Sequence, residues 1–254
     1  MAMLHYAGPH PRPAADPFSG RWVLDPAASR GVVLPEITYA REGTSIRVSG
    51  ELGDDLATLH QLAPRAFDLL FHRLTGPRRS ATVVIAPDLM NGHWRRHMPT
   101  AKGAMLTTEA LYQRVGQADG DFPLAGRWRH YPIMRIDAKS GSVYYNNGMA
   151  FEAGFDGRHY PALSSDGIDS VIVRRPSPNA IERNDFKGLR QVRAVDMIVS
   201  DDGGRVVIRT HRDQDLPPSV AVYNRMQGDP LSDYLSGRPR SFLTPAASAN
   251  PGGA

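Results

Sequence analysis

The chain has 254 residues and a formal charge of +4, with 41% hydrophobic and 22% charged residues. That composition excludes whole-chain disorder and fits one large domain or two small ones. With no cysteine, disulfides, thiolate nucleophiles, Cys-ligated zinc and iron–sulfur clusters are excluded as well.

Twenty-four glycines and 21 prolines argue for short strands and many turns over long helices. The densest basic runs are only Arg78-Arg79 and Arg95-Arg96, and basic residues alternate with acidic ones, so no nucleic-acid partner is expected. No stretch approaches the ~20 apolar residues of a membrane helix, and residues 1–17 lack an apolar signal core. The expected compartment is therefore the cytoplasm, with no membrane partner.

In chain order, residues 1–17 read as a disordered N-terminal segment. Phe18 to Asp25 reads as a strand closed by Pro26. Ile37–Tyr39 and Ser45–Val48 form a hairpin through Glu42-Gly43. From Glu51 the period changes. Leu56, Leu59, Leu62 and Ala63 recur at helical steps after Asp54-Asp55, and Phe67, Leu70, Phe71 and Leu74 continue the stripe after Pro64, up to Gly76-Pro77. These spacings predict two helices. A β-branched run covers Ala81–Ala86, residues 87–107 look irregular, and Thr108–Val115 adds a further helical turn or two.

Residues 122–226 turn β again. The expected strands are Arg127–Ile136, Val143–Phe151, Ser170–Arg174, Gln191–Val199, Arg205–Arg212 and Val220–Met226. Turn signals at Asp137 to Gly141, Asp156-Gly157, Asp166-Gly167 and Asp201 to Gly204 separate them, as in an antiparallel barrel or sandwich. Residues 231–254 form a small-residue tail. One echo stands out: Phe18-Ser-Gly-Arg-Trp22 is matched by Leu124-Ala-Gly-Arg-Trp128. The two halves do not otherwise align, so the echo alone does not establish a repeat.

Three segments resemble a bacterial family of lipocalin-like β-barrels of mostly unassigned function. They are Phe18 to Arg30, Phe155-Asp-Gly-Arg-His-Tyr-Pro161 and Val199-Ser-Asp-Asp-Gly-Gly-Arg-Val-Val-Ile208, with Val220 to Arg225 similar to the family's last strand. The resemblance covers residues 18–50 and 140–226. It implies one lipocalin-like antiparallel β-barrel domain over residues 18–230, with residues 51–125 as a helical insertion covering one end. It also implies that Trp22 plugs the closed end and that Arg225 covers the indole by a cation–π contact.

Candidate chemistry follows from alternation. His93-Trp-Arg-Arg-His97 could pair its histidines on a helix, or, if extended, place 93, 95 and 97 on one side. No metal site is assigned, and the run reads as a rim loop in which His97 and Arg95 contact ligand. On the strand from Arg127 to Ile136, Trp128, His130, Met134 and Ile136 share a face that should point into the barrel. An inward His130 suits general acid/base catalysis, or equally a core histidine bonded to backbone. Alternation over Ser142–Glu152 brings Tyr145, Asn147, Met149 and Phe151 inward as well. His130, Tyr145 and Asn147 are the expected catalytic trio, and Trp128, Met134, Met149 and Phe151 the expected ligand contacts.

No serine-hydrolase elbow, phosphate loop or dinucleotide fingerprint occurs. Two functions stay open. One is a cofactor-independent enzyme (a lyase, isomerase or cyclase working by proton transfer) on an apolar or aromatic small molecule. The other is a non-catalytic carrier of such a molecule. A homodimer is compatible with either.

Overall fold

The computed structural model describes residues 16–50, 55–72, 79–99, 105–117, 122–164, 166–212 and 217–226. These hold seventeen strands and no helix, so none of their segments is a helix long and apolar enough to cross a membrane. The first half contains β1 (Gly20–Arg30), β2 (Glu36–Glu42), β3 (Ser45–Gly50), β4 (Asp55–Ala63), β5 (Ala66–His72), β6 (Arg79–Ile85), β7 (Asn91–Pro99) and β8 (Met105–Val115). A long strand, β9 (Gly126–Ala138), follows. The second half contains β10 (Ser142–Asn146), β11 (Met149–Gly154), β12 (Asp156–Ser164), β13 (Ser170–Ser177), β14 (Ala180–Lys187), β15 (Arg190–Val199), β16 (Arg205–His211) and β17 (Ser219–Arg225).

All pairings are antiparallel, and β9 organises them. Its first part pairs with β8 and β2, where Trp128 lies opposite both Arg114 and Ile37. Its second part pairs with β1 and β10, where Met134 lies opposite Trp22 and Ile136 opposite Tyr145. Strands β2 to β9 therefore close an eight-strand ring. Strands β9 to β17, with β1 inserted between β17 and β9, close a ten-strand barrel. Closure leaves neither ring an unpaired edge.

Each ring has its own core. The ten-strand barrel is filled by Trp22, Met134, Ile136, Tyr145, Phe151, Val173, Met197 and Val206, among others. The eight-strand ring is filled by Tyr39, Phe67, Phe71, Trp94, Tyr112 and Trp128. Val23, Ala66, Val84, Leu111, Tyr131 and Ile133 form a third cluster, a seam between the rings. Residues at even positions of β9 face the ring interiors and those at 131 and 133 face the seam.

The sequence echo marks two copies of one structural device. In both, a tight turn precedes a glycine and a fully buried tryptophan. Trp22 Nε1 donates to Phe18 O at 3.0 Å, and Trp128 Nε1 donates to Leu124 O at 2.9 Å. The guanidinium of Arg225 lies 4.1 Å from the Trp22 ring, as expected, and that of Arg114 lies 4.2 Å from the Trp128 ring. Arg225 donates to the carbonyls of Pro17, Ser19 and Gly203. Arg114 donates to those of Leu89, Pro123 and Ala125. Glycine is needed at both strand starts. A Cβ at Gly20 would lie 2.8 Å from Arg225 Nη1, and one at Gly126 would lie 2.6 Å from Arg114 Nη1, at φ of +149° and +114°. Each buried indole removes roughly 150–250 Å² from water, an upper bound of about 4–6 kcal/mol of transfer free energy.

The expected helical insertion is corrected: the described part of residues 51–125 forms strands β4 to β8, the greater part of the eight-strand ring. In β5, Phe67, Leu69 and Phe71 point inward at a period of two, while Ala66 faces the seam. Leu56 and Leu62 on β4 are exposed, opposite the buried Ala57. Apolar residues on both faces of these strands imitate a helical period. The expected 142–152 strand is a hairpin of β10 and β11 that turns at Asn147-Gly148, where Gly148 has φ +72°. Of the expected terminal segments, residues 1–15 and 231–254 lie outside the described residues. Asp16 and Pro17 belong to the fold: the Asp16 carboxylate pairs with Arg175 at 2.5 Å, and the Pro17 carbonyl accepts from Arg225.

Candidate functional site

Trp22 is fully buried in the core of the ten-strand barrel, where β1 begins. A recess of about 140 Å³ opens inside the strands. Three apolar residues, Met149, Ile208 and Ala221, and six polar ones, Tyr145, Asn147, Arg183, Arg193, Thr210 and Tyr223, line it.

Local pattern explains how charges come to be inside. On β14, Ile181, Arg183 and Asp185 alternate inward, with Arg183 5% and Asp185 0% exposed. Buried charges persist only when paired and hydrogen-bonded. Arg183 Nε lies 2.7 Å from Asp185 Oδ1, and Arg183 Nη2 donates to Asp185 Oδ2 at 3.2 Å. Asp185 pairs across the sheet with Arg193, whose Nε donates to Oδ2 at 2.5 Å. Arg193 Nη1 also lies 3.8 Å from Asp166, a carboxylate whose side chain is 58% exposed.

The Arg183 guanidinium lies over the Tyr145 ring at 4.7 Å and the Phe151 ring at 5.6 Å. Those two rings stack at 5.1 Å. Burial alone would lower the pKa of Arg183, but the interactions with Tyr145 and Asp185 outweigh it and raise the pKa. Its Nη1 is buried and has no hydrogen-bond partner. Asn147 Nδ2 donates to the Tyr223 hydroxyl at 2.9 Å. Burial pushes the Tyr223 hydroxyl far above the usual tyrosine pKa, so it stays protonated and its own O–H remains available as a donor.

The expected site residues divide between the two rings. Tyr145, Asn147 and Met149 line the recess, with Phe151 stacked behind Tyr145. Met134 is fully buried in the same barrel's core. His130 belongs to the eight-strand ring: it pairs across the strands with Tyr112 and stacks on that ring at 5.1 Å. It ends a run of four rings, Tyr39, Trp94, Tyr112 and His130, spaced 5.1–5.3 Å apart. Tyr145 pairs with Ile136, six residues further along β9 than His130, or about 20 Å of extended strand. The trio therefore does not share one site.

Trp128 is the plug of the eight-strand ring. The His93–His97 run is extended on β7, not irregular. Trp94 points into the ring and His93 pairs with seam residues Val84 and Leu111. Arg95 is held by Glu109 at 2.8 Å, and Glu109 also faces Arg21 on β1 at 3.7 Å. His97 Nδ1 lies 2.9 Å from Thr107 Oγ1. These residues tie strands together away from the recess. Among the described residues, no three His, Cys, Asp or Glu gather as metal ligands do.

Sequence reasoning missed Arg183, Asp185, Arg193 and Tyr223. The signal was available in Ala180–Lys187, where period-two alternation aligns Ile181, Arg183 and Asp185. Charge at the inward positions leaves no apolar stripe there, and no strand was expected over this segment. Compared with protein family models, with curated proteins and with solved structures, the chain matches none.

Proposed function

We propose that this protein is a lipocalin-like binding protein that carries a small, largely apolar molecule in its ten-strand barrel. The observation that carries this reading is the recess inside the ten-strand barrel, lined by Met149, Ile208 and Ala221 together with hydrogen-bonding groups. Barrels of eight or more strands have room for one small ligand, and such sites combine apolar lining with a few fixed polar groups. The contact of Arg225 with the Trp22 ring, which the resemblance implies, supports the lipocalin-like part of the reading.

The proton-transfer reading retains Tyr145 and Asn147 but loses its base, since His130 stacks in the other ring. Carriage needs no such base. The test is a titration of the full chain with single-ring compounds, one acid and one neutral, monitored by the methyl resonances of Met149 and Ile208. Saturable shifts confined to these methyls, and lost in Ala221→Trp, are the expected result. Absence of binding by both compounds would overturn the proposal.

A further inference from the structure

We propose that the ligand of this recess is a small apolar monocarboxylic acid, its carboxylate held by Arg183 and the Tyr223 hydroxyl and its apolar body against Met149 and Ile208. This deepens, and rests on, the binding reading above.

The charge arrangement comes first. The recess is lined by two guanidinium groups and by no carboxylate. Behind the lining, Asp185 is, among the described residues, the only fully buried carboxylate in contact with them, and it is shared by both. The remaining partner of Arg193 is Asp166, at 3.8 Å and 58% exposed, where water screens the pair. On the recess side the two guanidinium groups thus share one buried carboxylate, with Asp166 set apart at the exposed end, so the lining favours an anion.

The donor pattern comes second. Arg183 Nη2 donates to Asp185 Oδ2, while Nε lies 2.7 Å from Oδ1 without hydrogen-bond geometry. Nη1 of the same guanidinium is buried, without a partner, on a side chain that lines the recess. A charged N–H in that position calls for an acceptor, and a carboxylate oxygen is the strongest one available. Asn147 fixes the Tyr223 oxygen by donating to it, which directs the Tyr223 O–H elsewhere. Arg183 and Tyr223 both line the recess, one bringing a charged donor group and the other a neutral one, and a carboxylate presents two oxygens.

Size comes third. A volume of about 140 Å³ is close to that of cavities, about 150 Å³, that accept one benzene-sized molecule. One ring or a short branched chain fits.

The test uses the full chain, calorimetry and methyl resonances, with benzoate and benzamide as probes. They share a ring and differ in charge. Benzoate is expected to bind at least about tenfold more tightly, the span of one charge-assisted hydrogen bond. Tyr223→Phe should weaken benzoate about tenfold and benzamide less than about threefold. Arg183→Met should abolish the preference for the acid. Should that variant fail to fold, the acid-to-amide ratio of the native chain and Tyr223→Phe decide. Equal affinities for the two probes would overturn the carboxylate assignment and leave the binding reading standing. Binding of neither would overturn both. Benzoate binding that shifts methyls elsewhere, with Met149 and Ile208 unmoved, would overturn the assignment of the site.

Discussion

Replacing Arg114 by methionine keeps much of the side chain's bulk and removes its charge and every donor. In the native chain this guanidinium is 4% exposed, lies 4.2 Å from the Trp128 ring, and donates to three backbone carbonyls from two separate turns. Hydrogen bonds involving a charged group contribute about 1.5–3 kcal/mol each, and a desolvated cation–π contact about 2 kcal/mol. These contributions do not add, because one side chain makes them all and the freed carbonyls regain some water. A net loss of about 3–5 kcal/mol is expected, which for a chain of this size lowers Tm by about 6–20 °C. Urea unfolding followed by far-ultraviolet circular dichroism and by indole fluorescence gives the number. Arg225→Met, at the more exposed copy of the same device, should lose less, about 2–3 kcal/mol. Because β9 belongs to both rings, the two probes should report one coincident transition. A loss under about 1 kcal/mol for Arg114→Met, or separate transitions for the two rings, would refute the reasoning.

Other outcomes follow from the same geometry. Asp185→Asn leaves two guanidinium groups facing a neutral amide at a position with no exposure, and should lose about 3–5 kcal/mol by urea unfolding, far more than Asp166→Asn at the exposed partner. Tyr223 is held neutral by burial, so its pKa is raised on folding. Its contribution is complete below the unfolded value near 10 and is lost as pH rises beyond it; Tyr223→Phe should flatten the alkaline fall in stability, and an unchanged profile would count against burial of that hydroxyl. Gly126→Ala places a Cβ 2.6 Å from Arg114 Nη1 at φ +114° and should lower Tm more than Gly43→Ala, where open space surrounds the same substitution. His130→Gln should leave benzoate affinity within about twofold, since His130 lies six strand residues, about 20 Å, from the position paired with Tyr145.

Parts of this architecture were open to reading from the residues alone. Strands β9, β15, β16 and β17 announce themselves by alternation between turn signals, and the inward set Val143, Tyr145, Met149 and Phe151 is correct across a hairpin that was not expected. Trp22 and Arg225 meet as the resemblance implied. Residues 55–72 misled because each of their strands carries apolar side chains on both faces, one toward the ring interior and the other toward the seam or the surface, and such strands lose the period of two. The sharing of β9 leaves no local trace, since the exchange of partners near Ile133 depends on contacts from β1 and β8, more than a hundred residues away in one case. That exchange is also why His130 and Tyr145 separate: both face a barrel interior, but of different barrels. The charged inward face of β14 hid the residues that give the recess its chemistry.

The claim on which the account turns is that the ten-strand barrel binds a small acid in its open recess. It is tested most directly by titrating the full chain with benzoate while observing the Met149 and Ile208 methyls together with the Trp128 indole. Saturable shifts at Met149 and Ile208, affinity at least about tenfold above that for benzamide, and an unmoved Trp128 are expected. Shifts centred on Trp128, or no saturable shift at Met149 and Ile208, would contradict it.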